Sequence, residues 1–132
     1  MKCVHVAVGV IVNSEGEVCI ARRPEGKHLA GLWEFPGGKV EPDENVFNAL
    51  QRELNEELAI TINAAEPLIK IDFHYPEKSV CLDVHIVQDF SGVAHGREGQ
   101  EVRWVKKDAL EEYQFPEANV AILDAVLNRD GL

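Results

Sequence analysis

The chain has few basic residues and no long apolar run. It carries 13 Lys and Arg against 23 Asp and Glu, a formal net charge of −10. Sequence-independent binding to a nucleic acid depends on Lys and Arg releasing counterions from the phosphates. A membrane span needs about 20 consecutive apolar residues, and no segment of the sequence reaches that length. We therefore expect no nucleic acid polymer and no membrane as partner.

Cysteine is also scarce, and its three copies have no functional spacing. Cys3, Cys19 and Cys81 lie in strand-like apolar runs, without the spacing of a metal site or a redox pair, and their number is odd. Such thiols are typically buried and reduced in the cytosol. The apolar stretch 4–12 is interrupted by His5 and lacks a small-residue cleavage pattern, so it is interpreted as a strand and not as a signal peptide. These features predict a cytoplasmic protein.

The length and the hydrophobic periodicity predict one domain, residues 1–132, of the α/β (α+β) class. The chain is 45% apolar and shows no repeats or low-complexity tracts, which fits one compact core. Strands are predicted over 4–12, 18–22, 69–74, 79–90 and 101–105. The first two should form a hairpin around Asn13–Gly16, and the Pro-Gly-Gly at 36–38 should stop a further short strand.

Two amphipathic helices complete the predicted fold. The first should begin near 42–45 and pack on a sheet through an apolar stripe of Phe47, Leu50, Leu54 and Leu58. The second should open at Pro116. Its predicted apolar face consists of Val120, Ile122, Leu123, Val126 and Leu127. Strands around one central helix, with a second helix at the end, predict a mixed sheet that is covered on two faces.

The first predicted helix carries three glutamates on one face. At about 100° per residue, Glu53, Glu56 and Glu57 fall within an arc of roughly 100°, opposite the leucine stripe. Like charges three and four residues apart repel each other unless cations lie among them. Mg²⁺ or Mn²⁺ would fit, because these ions prefer hard oxygen ligands and also bind substrate phosphates. A solvated helix surface is the alternative interpretation of such a face taken alone.

The segment before this helix supports a metal and phosphate site. Gly37 and Gly38 can turn tightly and free backbone groups for a ligand, Lys39 adds a cation, and Glu44 adds an acid near the helix start. Gly38, Glu44 and the run Arg-Glu-Leu-Asn-Glu-Glu at 52–57 resemble the Nudix box. That motif is a glycine, five residues, a glutamate, seven residues, and then Arg-Glu-apolar-any-Glu-Glu.

The sequence departs from this family pattern at Ala59. The family usually has glycine two residues after the glutamate pair, and that glycine helps to end the helix. We expect a slightly altered turn at the end of the helix and little loss of chemistry.

The resemblance implies a Nudix-type α/β/α sandwich with a central mixed sheet, and a metal-dependent enzyme. The implied metal ligands are Glu53, Glu56, Glu57, Glu98 and the Gly37 carbonyl. Glu53 is also a candidate general base, Glu98 would assist the attacking water, and Lys39 would add a catalytic cation. Arg52 would orient the carboxylates, which is compatible with an ordinary i,i+4 pair with Glu56. Glu44 has the alternative role of an acid stabilised by the helix dipole.

The resemblance extends to the MutT branch of the family, through the segments 6–11, 21–23, 33–39, 98–100 and 115–119. By this resemblance Asn119 would read the edge of an oxidised guanine, since its amide offers a donor and an acceptor. Asn at such a position also caps helices. The other implied substrate-binding residues are Arg23, His28, Glu34, Phe35, Pro36 and Gly37. A solvated Arg or His, and a Phe in the core, are the alternatives for these positions.

The implied function is the Mg²⁺-dependent hydrolysis of 8-oxo-dGTP to 8-oxo-dGMP and pyrophosphate by water that attacks an inner phosphorus. A pyrophosphohydrolase of CTP, dCTP or mixed nucleoside triphosphates is the alternative, because the box itself reads only metal and phosphate. A catalytically silent binding module of the same fold would be favoured by lost box carboxylates, and none is lost. We expect a monomer that acts on a small nucleotide.

Overall fold

A computed structural model describes residues 3–23 and 31–129 of the chain. Its strands are β1 (Cys3–Ile11), β2 (Glu17–Arg22), β3 (Trp33–Glu34), β4 (Gly37–Lys39), β5 (Thr61–His74), β6 (Ser79–Ser91) and β7 (Val102–Lys106). Its helices are α1 (Val46–Leu58) and α2 (Glu117–Leu127), with a 3₁₀ helix at Lys107–Glu112 that was not predicted. None of the helices in the described ranges is long and apolar enough to cross a membrane.

The strands form two sheets. The larger sheet has the order β4-β1-β6-β5, and it is mixed because β1 runs parallel to β6 while the other pairs are antiparallel. The smaller sheet, β3-β2-β7, is antiparallel. The mixed α+β architecture confirms the predicted fold class.

The predicted hairpin between the first two strands is wrong. Asn13–Gly16 does form a tight turn, in which the Asn13 carboxamide oxygen accepts the Glu17 amide at 2.9 Å. Within the described residues, however, β1 and β2 share only the Val12–Val18 bridge and belong to different sheets. The reason lies in burial, because β1 is buried on both faces from Ala7 to Ile11. Such a strand belongs in the middle of a sheet, where β4 and β6 occupy its two edges.

The two helices cover opposite faces of the larger sheet. Alternate residues of a strand point to opposite faces, so β1 contributes to two hydrophobic clusters. Val8 and Val10 pack in a cluster with α2, whereas Ala7 and Ile11 pack in a cluster with α1. From α2 the buried residues are Ala118, Ile122, Leu123 and Val126. Val120 was predicted in this face but is 43% exposed, because Ala118, spaced by four from Ile122, takes the core position.

Two further predictions need correction. Cys19 is buried as expected, but Cys3 is exposed and Cys81 is half-buried, because continuous burial begins only at Ala7 on β1 and at Leu82 on β6. Strand β5 starts at Thr61 and not near 69. Its pairing with β6 contains three register shifts, and such bulges break the alternation of apolar and polar residues from which strands are predicted.

Helix α1 has defined ends. The Asn45 side chain caps its N-terminus by accepting the Asn48 amide at 2.8 Å, the usual role of Asn at that position. At the other end Ala59 adopts the left-handed conformation, with φ 62° and ψ 28°, and its amide donates to the Asn55 carbonyl at 3.0 Å. The alanine therefore keeps the left-handed cap that glycine favours, and the expected change in the turn is not observed.

Candidate active site

Strand β4 brings two glycines into close contact with their neighbours. A β-carbon on Gly38 would overlap the Glu53 carboxyl group, and one on Gly37 would overlap the carbonyl oxygen of Ala7. The predicted short strand does stop before this segment, since β3 ends at Glu34, but Gly37 and Gly38 then begin β4 and pair with β1 in register. Their function is close packing, which lets the carboxylate of Glu53 lie directly against the sheet.

Arg52 links three parts of the site. Its Nε and Nη2 donate to the two oxygens of Glu44 at 2.7 and 2.8 Å, and its Nη1 donates to Glu53 at 2.9 Å. Nη2 also donates to the Lys39 carbonyl at 3.0 Å, whereas Glu56 lies farther away, at 3.7 Å. The hydrogen bond from Arg52 is the main reason why the pKa of Glu44 falls to about 2. Arg52 therefore holds Glu53 more closely than it pairs with Glu56.

The glutamates of α1 lie in different environments. The Glu53 side chain is 18% exposed and that of Glu56 is 58% exposed, while Glu57 is half-buried. Burial raises the pKa of Glu53 and outweighs the opposing bond from Arg52. The expectation that all three glutamates lie opposite the leucines is wrong, because Glu53 and Glu57 flank the buried stripe and face β4.

Glu57 is the most perturbed of these acids. Burial, followed by the charges of Glu53, Glu34 and Glu98, raises its pKa to about 8, against a smaller opposing effect of a hydrogen bond from the Gly37 backbone. Its Oε2 is buried and has no hydrogen-bond partner among the described residues. A buried carboxylate oxygen of this kind is costly unless a proton or a cation binds to it.

Glu98 reaches this acidic group from the loop between β6 and β7. It is exposed, and its negative charge contributes to the raised pKa of both Glu53 and Glu57. The loop is held against the end of α1, where the Arg97 amide donates to the Glu57 carbonyl at 3.0 Å. The structure thus brings Glu98 together with the predicted glutamates although about 40 residues separate them in the sequence.

The donor set is suited to a hard divalent cation. Carboxylate oxygens are the ligands that Mg²⁺ and Mn²⁺ prefer, and the unpartnered Oε2 of Glu57 is an oxygen that such an ion would satisfy. Within residues 3–23 and 31–129, no three His, Cys, Asp or Glu side chains lie close enough to hold an ion as they stand. The residue types and the electrostatics therefore fit a metal, while the ligands would have to rotate to enclose it.

Lys39 lies apart from the acidic group. Successive residues of a strand point to opposite faces, so Lys39 faces away from the side on which Gly38 contacts Glu53. Its side chain is exposed and lines a cavity of about 430 Å³ together with Tyr75 and Lys78. The structure does not group Lys39 with the carboxylates.

A second cavity, of about 220 Å³, opens between the larger sheet and α2. Five of the predicted substrate-binding residues line it, namely Arg23, Glu34, Phe35, Gly37 and Asn119. Pro36 is buried and its carbonyl accepts the Gly9 amide at 2.8 Å. It does not line the cavity itself but connects two residues that do, Phe35 and Gly37. His28 lies outside the described residues.

Asn119 is fixed by a backbone contact at the rim of this cavity. Its Oδ1 accepts the Phe35 amide at 3.2 Å. Helix α2 is capped at Pro116 without a side-chain bond, so the alternative role of Asn119 as a helix cap is wrong. Phe35 is 4% exposed and stacks on Phe115 with 5.2 Å between ring centroids. Phe35 is therefore a core residue and a cavity wall at the same time.

Three residues of the site received no role from the sequence. Tyr75 lines both cavities, Phe115 supports Phe35, and Gln100 bonds to Glu98 and to the Glu57 carbonyl. Tyr75 directly follows the predicted strand 69–74, and Phe115 directly precedes the predicted start of the second helix at Pro116. For Gln100 the signal was its place in the segment 98–100, which carries part of the resemblance to the MutT branch.

The comparisons with known proteins agree with this geometry. A model of the NUDIX domain matches residues 7–125. The chain is 41% identical over 127 residues to the 8-oxo-dGTP diphosphatase of Haemophilus influenzae, which covers 96% of this chain and 93% of that protein. It is 35% identical over 127 residues to the CTP pyrophosphohydrolase of Escherichia coli, with 96% and 93% covered.

The fold leads to the same relatives. A MutT structure, from work on the enzymes of Aliivibrio salmonicida and Vibrio cholerae, superposes with a TM-score of 0.86 at 42% identity and covers 96% of this chain and 98% of that chain. The chain belongs to the NUDIX family and is a hydrolase that acts on phosphoric anhydride bonds. Within that family it is similar to the MutT enzymes, which confirms the resemblance found in the sequence.

Proposed function

We propose that this hydrolase converts 8-oxo-dGTP to 8-oxo-dGMP and pyrophosphate and so prevents the incorporation of oxidised guanine into DNA. The observation that carries this proposal is the position of Asn119, fixed by Phe35 at a cavity that lies across β4 from the acidic group. The similarity to an 8-oxo-dGTP diphosphatase over 96% of the chain supports the same substrate.

The chemistry of the Asn119 amide suits an oxidised guanine. A carbonyl oxygen can accept two hydrogen bonds, and Oδ1 uses one for the Phe35 amide. The second can accept an N–H at position 7 of the base, which 8-oxoguanine has and guanine lacks, since N7 of guanine is an acceptor. With 8-oxoguanine, Oδ1 of Asn119 would face an N–H donor. With guanine, it would face the N7 acceptor, so guanine would bind less well.

The reaction needs a divalent cation, for which Mg²⁺ is the proposed ion and Mn²⁺ a substitute. When bound, the ion neutralises charge on the phosphates and makes a bound water more acidic. Glu53, Glu56, Glu57, Glu98 and the Gly37 carbonyl are the residues that would hold it. Glu98 enters this set from a separate loop, so ion binding would also join that loop to α1.

The side chains divide the remaining tasks. Glu53, held by Arg52 at 2.9 Å, would accept a proton from water as the water oxygen forms a bond to an inner phosphorus. The anhydride bond then breaks and pyrophosphate separates from the monophosphate. Arg23, which is paired with Glu34 at 2.7 Å, would contact the nucleotide at the cavity. Lys39, which faces away from the carboxylates, has no part in this step.

The wider biology follows from the same proposal. The enzyme would act as a single domain and a monomer on free nucleotides in the cytoplasm. The three cysteines are free thiols, which is consistent with a reducing compartment.

Hydrolysis of CTP or dCTP is a second candidate function. It is favoured by the 35% identity to a CTP pyrophosphohydrolase over 96% of the chain. The carboxylates would act on metal and phosphate, which are common to all nucleoside triphosphates. A silent binding module is not supported, since the glutamates and Arg52 are all present and form one network.

The test is pyrophosphate release from 8-oxo-dGTP, dGTP and CTP with Mg²⁺. We expect kcat/KM to be highest for 8-oxo-dGTP by orders of magnitude, Glu53→Gln to abolish activity, and Asn119→Ala to remove the preference. Asn63→Ala is a matched control, because Asn63 lies on β5 and bonds to Asp89 at 3.0 Å. A preference for CTP would support the second candidate, and inactivity towards all three nucleotides would favour a binding module.

A further inference from the structure

The loop that carries Glu98 is attached to the last turn of α1. The carbonyls of a last helical turn have few or no donors within the helix, and here loop residues donate to two of them. The Arg97 amide donates to the Glu57 carbonyl at 3.0 Å, and the Arg97 guanidinium donates to the Asn55 carbonyl at 3.1 Å. The backbone bond of Arg97 attaches the loop to the helix end at the residue before Glu98, while its guanidinium adds a bond that does not involve Glu98.

Gln100 joins Glu98 itself to this helix end. Its Oε1 accepts the Glu98 amide at 3.0 Å, and its Nε2 donates to the Glu57 carbonyl at 3.1 Å. A carboxamide is planar and presents an acceptor and a donor at a fixed separation. One side-chain group therefore sets the distance between the backbones of two glutamates that belong to the acidic group.

Glu98 needs such an anchor. It is exposed, whereas Gln100 is half-buried. Its backbone is tied to that of Glu57 through Gln100, and the like charges of Glu53 and Glu57 repel its carboxylate towards solvent. Loop side chains have more freedom than those of helices and strands. Without the bonds of Gln100, repulsion and loop freedom would both move Glu98 away from α1.

We propose that Gln100 is a positioning residue, whose two hydrogen bonds hold the backbone of Glu98 to that of Glu57 so that the Glu98 side chain stays within reach of a cation bound at the acidic group. This inference rests on the proposed function, since it concerns the same acidic group. A displacement of about 1 Å at a reacting group can lower a rate about 100-fold. Gln100 therefore affects the reaction through Glu98, without contacting the nucleotide.

The experiment uses Gln100→Met, which keeps the length of the side chain and removes both hydrogen bonds. Arg97→Met is the matched control, because it removes one bond to the same helix end but none to Glu98. We expect Gln100→Met to lower kcat for 8-oxo-dGTP about 10- to 100-fold with KM changed less than about threefold. It should also weaken Mn²⁺ binding, measured without nucleotide by the EPR signal of the free ion, while Arg97→Met changes neither quantity more than about threefold.

A double-mutant cycle separates positioning from a general effect on folding. In a Glu98→Gln background, Gln100→Met should cause little further loss of kcat or of Mn²⁺ affinity, because residues that act as a unit are not additive. An equal loss in both backgrounds, or wild-type behaviour of Gln100→Met, would overturn the inference. Gln100→Glu is a second variant if Gln100→Met does not fold, and it should lose kcat because it adds a charge beside Glu98.

The proposed function and this inference can fail separately. If the wild-type enzyme releases pyrophosphate from no nucleotide, the proposed function is wrong. The Mn²⁺ titrations of the four proteins of the double-mutant cycle still determine whether Gln100 acts through Glu98. These proteins are the wild type, Gln100→Met, Glu98→Gln and the double variant.

Discussion

Gly38 and Glu53 are packed so closely that a β-carbon on residue 38 would overlap the Glu53 carboxyl group. The Arg52 bond holds that carboxyl group from the other side at 2.9 Å, so it cannot move away without losing its partner. The backbone of β4 and the side chains of α1 therefore fix each other's position.

Gly38→Ala should consequently inactivate the enzyme. The added methyl group would push the Glu53 carboxyl group out of its present position. Because a displacement of about 1 Å at a reacting group can lower a rate about 100-fold, we expect kcat to fall about 100-fold or more. The measurement is steady-state pyrophosphate release together with the midpoint of urea unfolding. Gly16→Ala is the control for stability, since Gly16 has φ 76° with no atom within 4 Å of an added β-carbon. That variant should lose about 1 kcal/mol of stability and keep its kcat. Normal activity of Gly38→Ala would show that the carboxylate of Glu53 can leave this position.

Ala59→Gly should stabilise the protein. Alanine at φ 62° has a steric cost of about 1–2 kcal/mol that glycine avoids. Glycine loses more chain entropy on folding, which offsets part of this gain. We expect a net gain of about 0.5–1 kcal/mol in the free energy of unfolding, or about 2–4 °C in Tm. Ala121→Gly, inside α2, is the opposite control and should lose about 1 kcal/mol. Equal losses in both variants would contradict the strain at Ala59.

The stability of the metal-free enzyme should fall as the pH rises from 5 to 8. The pKa of Glu57 is raised from 4.5 to about 8, so its contribution is complete below the pKa of the unfolded chain and is lost as the pH passes the folded value. At about 1.4 kcal/mol per pKa unit the ceiling is about 5 kcal/mol, and we expect a loss of a few kcal/mol because neighbouring carboxylates share the proton.

Glu57→Gln identifies the group responsible for this change. The variant should equal the wild type near pH 5 and exceed its metal-free stability near pH 8, since a neutral amide loses no proton. Mg²⁺ should raise the wild-type Tm more at pH 8 than at pH 6, because the ion binds the carboxylate form. Parallel curves of Tm against pH for the two proteins would show that Glu57 is not the titrating group. Glu44, whose pKa is lowered to about 2, acts below this range.

Asn119→Ala should also reduce stability. It removes the acceptor of the Phe35 amide, and a buried donor without a partner costs about 1–2 kcal/mol. Asn119→Asp keeps an acceptor for that amide and should lose less stability, although it changes the donors presented to the base. Urea unfolding of the three proteins without nucleotide provides the comparison. A larger loss in the aspartate variant would show that charge, and not the Phe35 bond, dominates at this position.

Helix α1 and the acidic motif could be predicted from the sequence. The spacing of Leu50, Leu54 and Leu58 predicted α1, because helical periodicity is a property of neighbouring residues. The run at 52–57 predicted an acidic face and led to the NUDIX family, whose domain model matches residues 7–125. The leucine spacing and the acidic motif each lie within about twenty residues of the chain. Over such a short distance, the helix geometry alone sets the relative positions of the side chains.

The pairing between strands that are distant in the sequence could not be predicted from the sequence. The sequence predicted a hairpin of β1 with β2, but β1 pairs with β4 and β6, because burial on both faces favours a central position over the nearest neighbour in the chain. The bulges of β5 concealed the first half of that strand for a related reason, since they interrupt the period of two.

The sequence by itself determined the family, the two helices and the residue types of the acidic group. Only the tertiary structure decided that Glu53 and Glu57 face β4, that the loop of Glu98 is attached to the end of α1, and that Asn119 bonds to Phe35 rather than capping α2. The physical reason is that residue types and helical faces depend on local spacing, whereas burial, pKa and hydrogen-bond partners depend on groups that meet only after the chain has folded.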